Sequence, residues 1–271
     1  MKNLLSTELA HHGIIGQKWG ERNGPPYPLT SDVSTGKRIK IQKDDYGLKN
    51  LKNARTSNLD KWGSTRSNNV LYIVGYSGSG KSTTGLRLAN KGDTVIHLDG
   101  YSEMHAEEVQ NKKFNAYLDK HVPKWKQMTY ATEDGSGTTM KRYSKEYWDT
   151  VDSFRNAIEG YSKEQFPKGN RVIVEGVQIS DDWLSADKKY YSDKPMIILN
   201  TGVIKSMKRA FARDDRGGIV KGLMSLDSAK EYIQWYRNSN KRLNELADIS
   251  GANKNQPYLN KFMSTYVSQI Q

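Results

Sequence analysis

The chain has 271 residues, no cysteine and a formal net charge of +12 at pH 7, from 42 Lys and Arg against 30 Asp and Glu. Without cysteine it forms neither disulfide bonds nor thiolate metal sites, and no apolar run approaches the length of a membrane span. The excess of positive charge favours anionic partners, a class that includes both nucleotides and nucleic acid. We therefore expect a cytoplasmic protein, long enough for one substantial α/β domain with an extension.

Residues 1–62 are predicted to form a basic N-terminal extension, because apolar periodicity is poor there and turn-forming residues are frequent. The chain up to residue 69 has 12 Lys and Arg against 6 Asp and Glu, which is half of the net charge. A basic arm either binds an acidic surface or serves as a solvated linker, and charge alone does not choose between them. A weak amphipathic pattern from Leu48 to Trp62 predicts a helix that covers an edge of the coming sheet.

One part of this extension, residues 11–20, reads His-His-Gly-Ile-Ile-Gly-Gln-Lys-Trp-Gly. It resembles the H-H-G-I-x-G-Q-K-W-G element near one end of many structural and head-associated proteins of tailed phages and prophages of Gram-positive bacteria. The resemblance implies a short docking peptide for a phage structural protein, in a chain made in a bacterial host cell and associated with the virion. A metal site at the paired histidines is the alternative, although no third or fourth ligand is evident nearby.

The most informative stretch begins with the apolar run Val70 to Val74, continues as Gly-Tyr-Ser-Gly-Ser-Gly-Lys-Ser-Thr over residues 75–83, and ends in a helix-forming segment. A G-x-x-x-x-G-K-S pattern between a strand and a helix is the Walker A motif, in which backbone N–H groups and a helix N-terminus surround a phosphate. Lys81 is expected to meet the β- and γ-phosphates of ATP, and Ser82 to bind Mg²⁺. The predicted nucleotide-binding residues are Gly75, Ser77, Gly78, Ser79, Gly80, Lys81, Ser82 and Thr83. The alternative is a glycine-rich turn that binds nothing.

Three further strands are predicted, over residues 94–98, 171–176 and 195–200. Because parallel sheets bind ligands at the carboxyl ends of their strands, acidic residues there are candidates for chemistry. Asp99 is the candidate general base, or the group that orients an attacking hydroxyl. Glu175 is the candidate Walker B carboxylate, which holds Mg²⁺ or its water shell. The alternatives are a turn-opening aspartate and an ordinary strand end.

A cationic stretch over residues 205–220 follows the fourth strand and contains Arg209, Arg213 and Arg216. Their spacing by four and three puts the three guanidinium groups on one face of a helix. A cationic face ahead of two glycines is typical of a lid that neutralises charge on a transferring phosphoryl group. The alternative is a solvated face that pairs with its own aspartates.

Together these motifs resemble the uridine kinase and phosphoribulokinase branch of the P-loop kinases, over roughly residues 68–220. The lid of that branch reads R-x-x-R-D-x-x-x-R-G, which the present stretch matches approximately, and Walker A followed by Leu-Asp-Gly is also similar to adenylylsulfate kinases. The resemblance implies an α/β, three-layer P-loop NTPase/kinase fold with a parallel sheet. It also implies ATP, Mg²⁺, and transfer of the γ-phosphate to a hydroxyl of a small-molecule or nucleoside-type acceptor.

The predicted kinase domain covers residues 63–245, and residues 246–271 form a tail. An insert over residues 101–168 is expected to bind the acceptor. Its lysine and aromatic residues suit a nucleic-acid base, whereas the near-helical spacing of Tyr147, Val151, Phe154 and Ile158 suits packing, which we expect to explain most of the aromatics. Family members usually close the sheet with a fifth strand, and only residues 247–249 could supply it.

Two kinds of alternative share the motifs. A polynucleotide 5′-kinase and a zeta-toxin-like kinase of nucleotide sugars also have Walker A, an aspartate after the second strand and lid arginines, so nucleic acid stays a candidate partner. From a different class comes a nucleotide-binding structural or cargo protein of a phage particle, which the His-His-Gly element favours.

Overall fold

A computed structural model describes residues 51, 54–102, 111–129, 131, 135, 139–184, 187–202, 206 and 226–252. Their centre is a five-stranded sheet in the order β1-β5-β2-β4-β3. The strands are β1 (Arg55–Ser57), β2 (Val70–Gly75), β3 (Thr94–His97), β4 (Val172–Glu175) and β5 (Met196–Leu199). Strands β5, β2, β4 and β3 are parallel, and β1 pairs with β5 in the antiparallel sense. The α/β class with a mostly parallel sheet is thereby confirmed.

Six α-helices accompany the sheet in the described part of the chain. They are α1 (Lys81–Leu88), α2 (Asp99–Ser102), α3 (Lys112–His121), α4 (Trp125–Thr129), α5 (Lys145–Gln165) and α6 (Leu226–Ser250). Side-chain caps define two of their starts, because Asn111 accepts from the first-turn N–H groups of α3 and Ser144 does so for α5. None of the described helices is both long enough and apolar enough to cross a membrane.

Both faces of the sheet are covered, and strand β2 is buried along its whole length. Val70, Tyr72 and Val74 face a core built with helices α3 to α6. Leu71 and Ile73 point to the other face, where they pack with α1 and with apolar residues of segment 51–62. A parallel strand buried on both faces reads as a continuous apolar run, which is why the sequence pattern located these strands well.

The aromatic residues of the insert mainly pack. Tyr147, Val151, Phe154 and Ile158 are all buried on α5, as their spacing predicted. The Phe154 ring lies 5.2 Å from that of Tyr101 and 5.5 Å from that of Phe114, both in edge-on contact. The packing interpretation is therefore confirmed for these residues.

The predicted helix over residues 48–62 is wrong for residues 54–62, whereas Leu51 is helical. Strand β1 lies there, followed by the short 3₁₀ turn Leu59–Lys61. The side chains of Leu51, Ala54, Leu59 and Trp62 are nevertheless buried against the sheet. They lie before strand β1 and in or just after the turn that follows it, so their near-helical spacing does not come from one helix. The sheet thus begins at Arg55, upstream of residue 63, the predicted start of the domain.

The predicted fifth strand at residues 247–249 is also wrong, because these residues belong to α6. That helix continues past the predicted domain limit at 245 and ends at Ser250. Tyr236, Leu243 and Leu246 are buried along it, so its apolar period is helical to the end. The fifth place in the sheet is taken by β1, which pairs Arg55 with Ile198 and Ser57 with Met196.

We predict that Leu59→Ala lowers the free energy of unfolding by about 2–5 kcal/mol, because the lost side chain leaves a cavity under the sheet. Lys61→Ala is the matched control, since Lys61 is exposed two residues away, and it should change stability by less than about 0.5 kcal/mol. Urea unfolding followed by circular dichroism measures both. Equal unfolding midpoints for the two variants would show that segment 51–62 contributes nothing to the core.

Candidate functional site

The loop between β2 and α1 has the backbone shape that a phosphate-binding loop requires. Gly78 and Gly80 have φ angles of 76° and 94°, values that side-chain-bearing residues rarely adopt. Gly80 is also the N-cap of α1, and no side chain caps that helix. The first-turn N–H groups of α1 therefore face the loop, as in protein sites that bind phosphate at a helix N-terminus.

Gly75, at the end of β2, allows the loop to pass close to strand β5. A Cβ atom at this position would lie 2.6 Å from Ser79 Oγ and 3.2 Å from the carbonyl oxygen of Leu199. The Thr201 hydroxyl, just beyond β5, donates a hydrogen bond of 3.1 Å to the carbonyl of Ser79. The absence of a side chain at position 75 thus lets β5 support the loop directly.

Lys81 is buried, with 6% of its surface exposed, and its ammonium group donates a hydrogen bond to the carbonyl oxygen of Tyr76 at 3.1 Å. Buried lysines are rare, since an ammonium loses its hydration there. Here the side chain folds back over its own loop onto an oxygen acceptor. A phosphate oxygen is an acceptor of the same kind with more negative charge, so Lys81 is oriented for an anion inside the loop.

The two predicted metal-binding residues lie in direct contact. The Ser82 hydroxyl donates to Glu175 Oε1 at 2.8 Å, although the residues come from helix α1 and strand β4. Glu175 pairs in register with Ile73 on β2 and with His97 on β3. His97 Nδ1 lies 2.6 Å from the same Oε1 atom, and both side chains are buried, with 1% of Glu175 and 4% of His97 exposed.

The second oxygen of this carboxylate has a different environment. Glu175 Oε2 is buried and has no hydrogen-bond partner in the described part of the chain. A buried oxygen in this state is unusual in proteins, and carboxylate and hydroxyl oxygens are ligands that Mg²⁺ accepts. No group of three or more His, Asp or Glu that could hold a metal occurs among the described residues. Ser82 and Glu175 therefore fit an ion that takes its other ligands from phosphate and water.

Asp99 begins the short helix α2 directly beyond β3, at the same edge of the sheet as the loop. The amide Nε2 of Gln178 donates to Asp99 Oδ1 at 2.9 Å. Gln178 follows β4 and is buried. A side chain beyond the end of β4 therefore holds the carboxylate that lies beyond the end of the neighbouring strand β3. Sequence reasoning missed Gln178, because no motif or period marks a side chain that crosses between neighbouring strand ends.

Helix α6 also holds the loop. The Tyr236 hydroxyl donates to the carbonyl of Ser77 at 2.9 Å, and the Tyr76 hydroxyl donates to Asn240 Oδ1. The two tyrosine rings lie 5.5 Å apart. Burial raises the pKa of Tyr76 above its ordinary value, so its hydroxyl stays protonated and remains a donor at neutral pH. The sequence gave no signal for these contacts.

The remaining predicted site residues divide into two groups. Ser77, Ser79 and Thr83 lie in the loop and the first turn of α1, as predicted. Arg209, Arg213 and Arg216 lie outside the described residues, as does the element at residues 11–20. The lid and the docking peptide therefore stay predictions.

We predict that Gly75→Ala lowers the free energy of unfolding by about 1–3 kcal/mol, because the added methyl group meets β5 and the loop. Gly85→Ala on α1 is the control. Its Cβ would meet Ile173, Val95 and Ile73 only at 3.6–3.8 Å, so replacing a helical glycine should stabilise the protein by about 0.5–1 kcal/mol. Chemical denaturation measures both changes, and a Gly75→Ala protein at least as stable as the parent would contradict the close approach.

Comparisons with protein-family models, with curated proteins and with solved structures found no match to this chain.

Proposed function

We propose that the chain is a P-loop kinase, which transfers the γ-phosphate of ATP to a hydroxyl of a small-molecule or nucleoside-type acceptor with Mg²⁺ as cofactor. The observation that carries the proposal is the contact between Ser82 of the Walker A motif and Glu175. It joins the two residues that the motifs assign to the metal. The order of the strands also supports the proposal. Strand β2, which leads into the loop, lies between β4 and β5, so the carboxyl ends of both neighbours lie beside the loop, where parallel sheets bind ligands.

The loop would bind the phosphates of ATP through its backbone and through Lys81. On binding, the Lys81 ammonium would exchange the Tyr76 carbonyl oxygen for a phosphate oxygen, which offers full negative charge instead of a dipole. Because β5 and α6 already hold the loop through Ser79 and Ser77, little conformational entropy is lost when the anion binds.

Ser82 and Glu175 would hold Mg²⁺ beside the phosphates. When bound, the ion neutralises charge on the β- and γ-phosphate oxygens. The Ser82 hydroxyl donates its proton to Glu175 Oε1, so the lone pairs of its oxygen stay available for a cation.

Asp99 would accept, or orient, the proton of the acceptor hydroxyl. In the reaction the acceptor oxygen forms a bond to the γ-phosphorus, the bond from that phosphorus to the bridging oxygen breaks, and ADP leaves with the electron pair. The hydroxyl proton passes to Asp99 or to solvent. Gln178 donates a hydrogen bond to Oδ1 of this carboxylate, which limits its rotation. The predicted lid arginines Arg209, Arg213 and Arg216 would add positive charge around the transferring group.

A nucleotide-binding component of a phage particle is the second candidate, favoured by the element at residues 11–20. Such a protein would use the same loop and metal residues but would not need Asp99. Catalytic turnover therefore separates the two functions, whereas nucleotide binding does not.

We predict that Lys81→Ala abolishes tight binding of ATP in the presence of Mg²⁺ and leaves the fold intact, because the loop backbone needs no lysine side chain to form. The control Lys91→Ala removes an equal charge from an exposed position just beyond the end of α1. It should bind ATP like the parent. Isothermal titration calorimetry measures both. Parent-like affinity in Lys81→Ala would rule out phosphate binding by the loop.

For catalysis, we first expect a screen of ATP consumption over nucleosides, nucleotides, sugars and DNA 5′ ends to identify the acceptor. With that acceptor, Asp99→Asn should bind ATP normally and lose on the order of 10² in kcat, since the group acts mainly in the transition state. No consumption with any acceptor, together with firm ATP binding, would favour the particle protein instead.

A further inference from the structure

His97 is a buried polar residue at the carboxyl end of strand β3. It follows Val95 and Ile96 on β3, and the parallel register places it beside Glu175 on β4. A carboxylate only accepts hydrogen bonds, so the contact of 2.6 Å between His97 Nδ1 and Glu175 Oε1 requires the proton on Nδ1. His97 therefore donates to the carboxylate that the proposed function assigns to the metal.

The two oxygens of Glu175 have different surroundings as a result. Oε1 receives hydrogen bonds from both His97 and Ser82. Oε2 is equally buried and receives none within the described residues. Two donors on one oxygen fix the plane of the carboxylate, so that the other oxygen keeps one direction.

Packing alone is a poor explanation for an imidazole at this place. The second ring nitrogen, Nε2, is buried and has no partner among the described residues. Burying such an atom costs free energy that an apolar side chain of similar size would not lose. An imidazole at position 97 donates a hydrogen bond to Glu175, which a leucine could not do.

We propose that His97 is a positioning residue for the metal site. Its Nδ1–H holds Oε1 of Glu175, so that Oε2 and the Ser82 hydroxyl meet the same Mg²⁺ ion beside the nucleotide. The inference rests on the proposed function, and it concerns the metal-dependent part of nucleotide binding. Hydrogen bonds of this kind to ligating carboxylates orient the ligand and raise metal affinity.

The test compares two replacements of His97 in the full chain. His97→Asn keeps an N–H donor close to the place of Nδ1, whereas His97→Leu keeps the volume and removes the donor. Calorimetry gives the Kd for ATP with Mg²⁺ and with EDTA, and thermal unfolding checks the fold. We expect His97→Leu to lose about 10–100-fold of the Mg²⁺-dependent gain in affinity, while its Kd in EDTA stays unchanged. In His97→Asn the Mg²⁺-dependent gain should stay within about threefold of the parent's.

A second arm uses the Glu175→Gln background, where the carboxylate is gone. There His97→Leu should cause no further loss of the Mg²⁺ effect, because a neutral amide has replaced the charged carboxylate that His97 orients for the ion. If His97→Leu does not fold, His97→Gln replaces it. Its amide reaches the place of Nε2 instead of Nδ1, so it should show the same loss.

Three results would overturn the inference. The first is a Mg²⁺ effect in His97→Leu, or in its replacement, that equals the parent's. The second is equal loss in folded His97→Asn and His97→Leu, which would mean that the donor is not what matters. The third is an additional loss in the Glu175→Gln background. If the parent chain binds no ATP either with Mg²⁺ or with EDTA, the proposed function itself is refuted. That result is distinct from the three above, because it is seen in the parent without any variant.

Discussion

The parallel pairing of β2, β4 and β3 is the constraint on which the candidate site depends. Because these strands run in one direction, their carboxyl ends meet at one edge of the sheet, and the loop, Glu175 and Asp99 all lie at those ends. Ser82 and Glu175 are 93 positions apart in the chain, yet a hydrogen bond of 2.8 Å joins them. A slip of one residue between β2 and β4 would turn Glu175 to the other face of the sheet and break that contact.

The same edge shows how the fold fixes a loop that has few side chains of its own. Strand β5 and its continuation support the loop through Thr201, and helix α6 supports it through Tyr236. Both contacts end on carbonyl oxygens of the loop, at Ser79 and Ser77. Because these carbonyls accept hydrogen bonds from outside the loop, the loop backbone keeps its shape before an anion arrives. The site is thus prepared by distant segments of the chain.

How much the sequence could predict differs between the sheet and the contacts within the site. The buried parallel strands were found because each is a continuous apolar run. The contact between Ser82 and Glu175 could be expected from motifs that assign both residues to one metal ion. Strand β1 was missed, since three residues at an edge carry almost no periodic signal. Gln178, His97 and Tyr236 were missed for another reason. Their importance comes from contacts between segments that are distant in sequence, which no local pattern contains.

The central claim is that one loop and one carboxylate form a single site for ATP and Mg²⁺. An experimental structure of the full chain, with Mg²⁺ and an ATP analogue that cannot transfer its γ-phosphate, tests it most directly. We predict phosphates within the loop of residues 75–83, the ion in contact with Ser82 and close to Glu175, and the Lys81 ammonium on a phosphate oxygen instead of the Tyr76 carbonyl. A nucleotide bound elsewhere, or an empty loop at saturating nucleotide with the contact between Lys81 and Tyr76 intact, would contradict the claim.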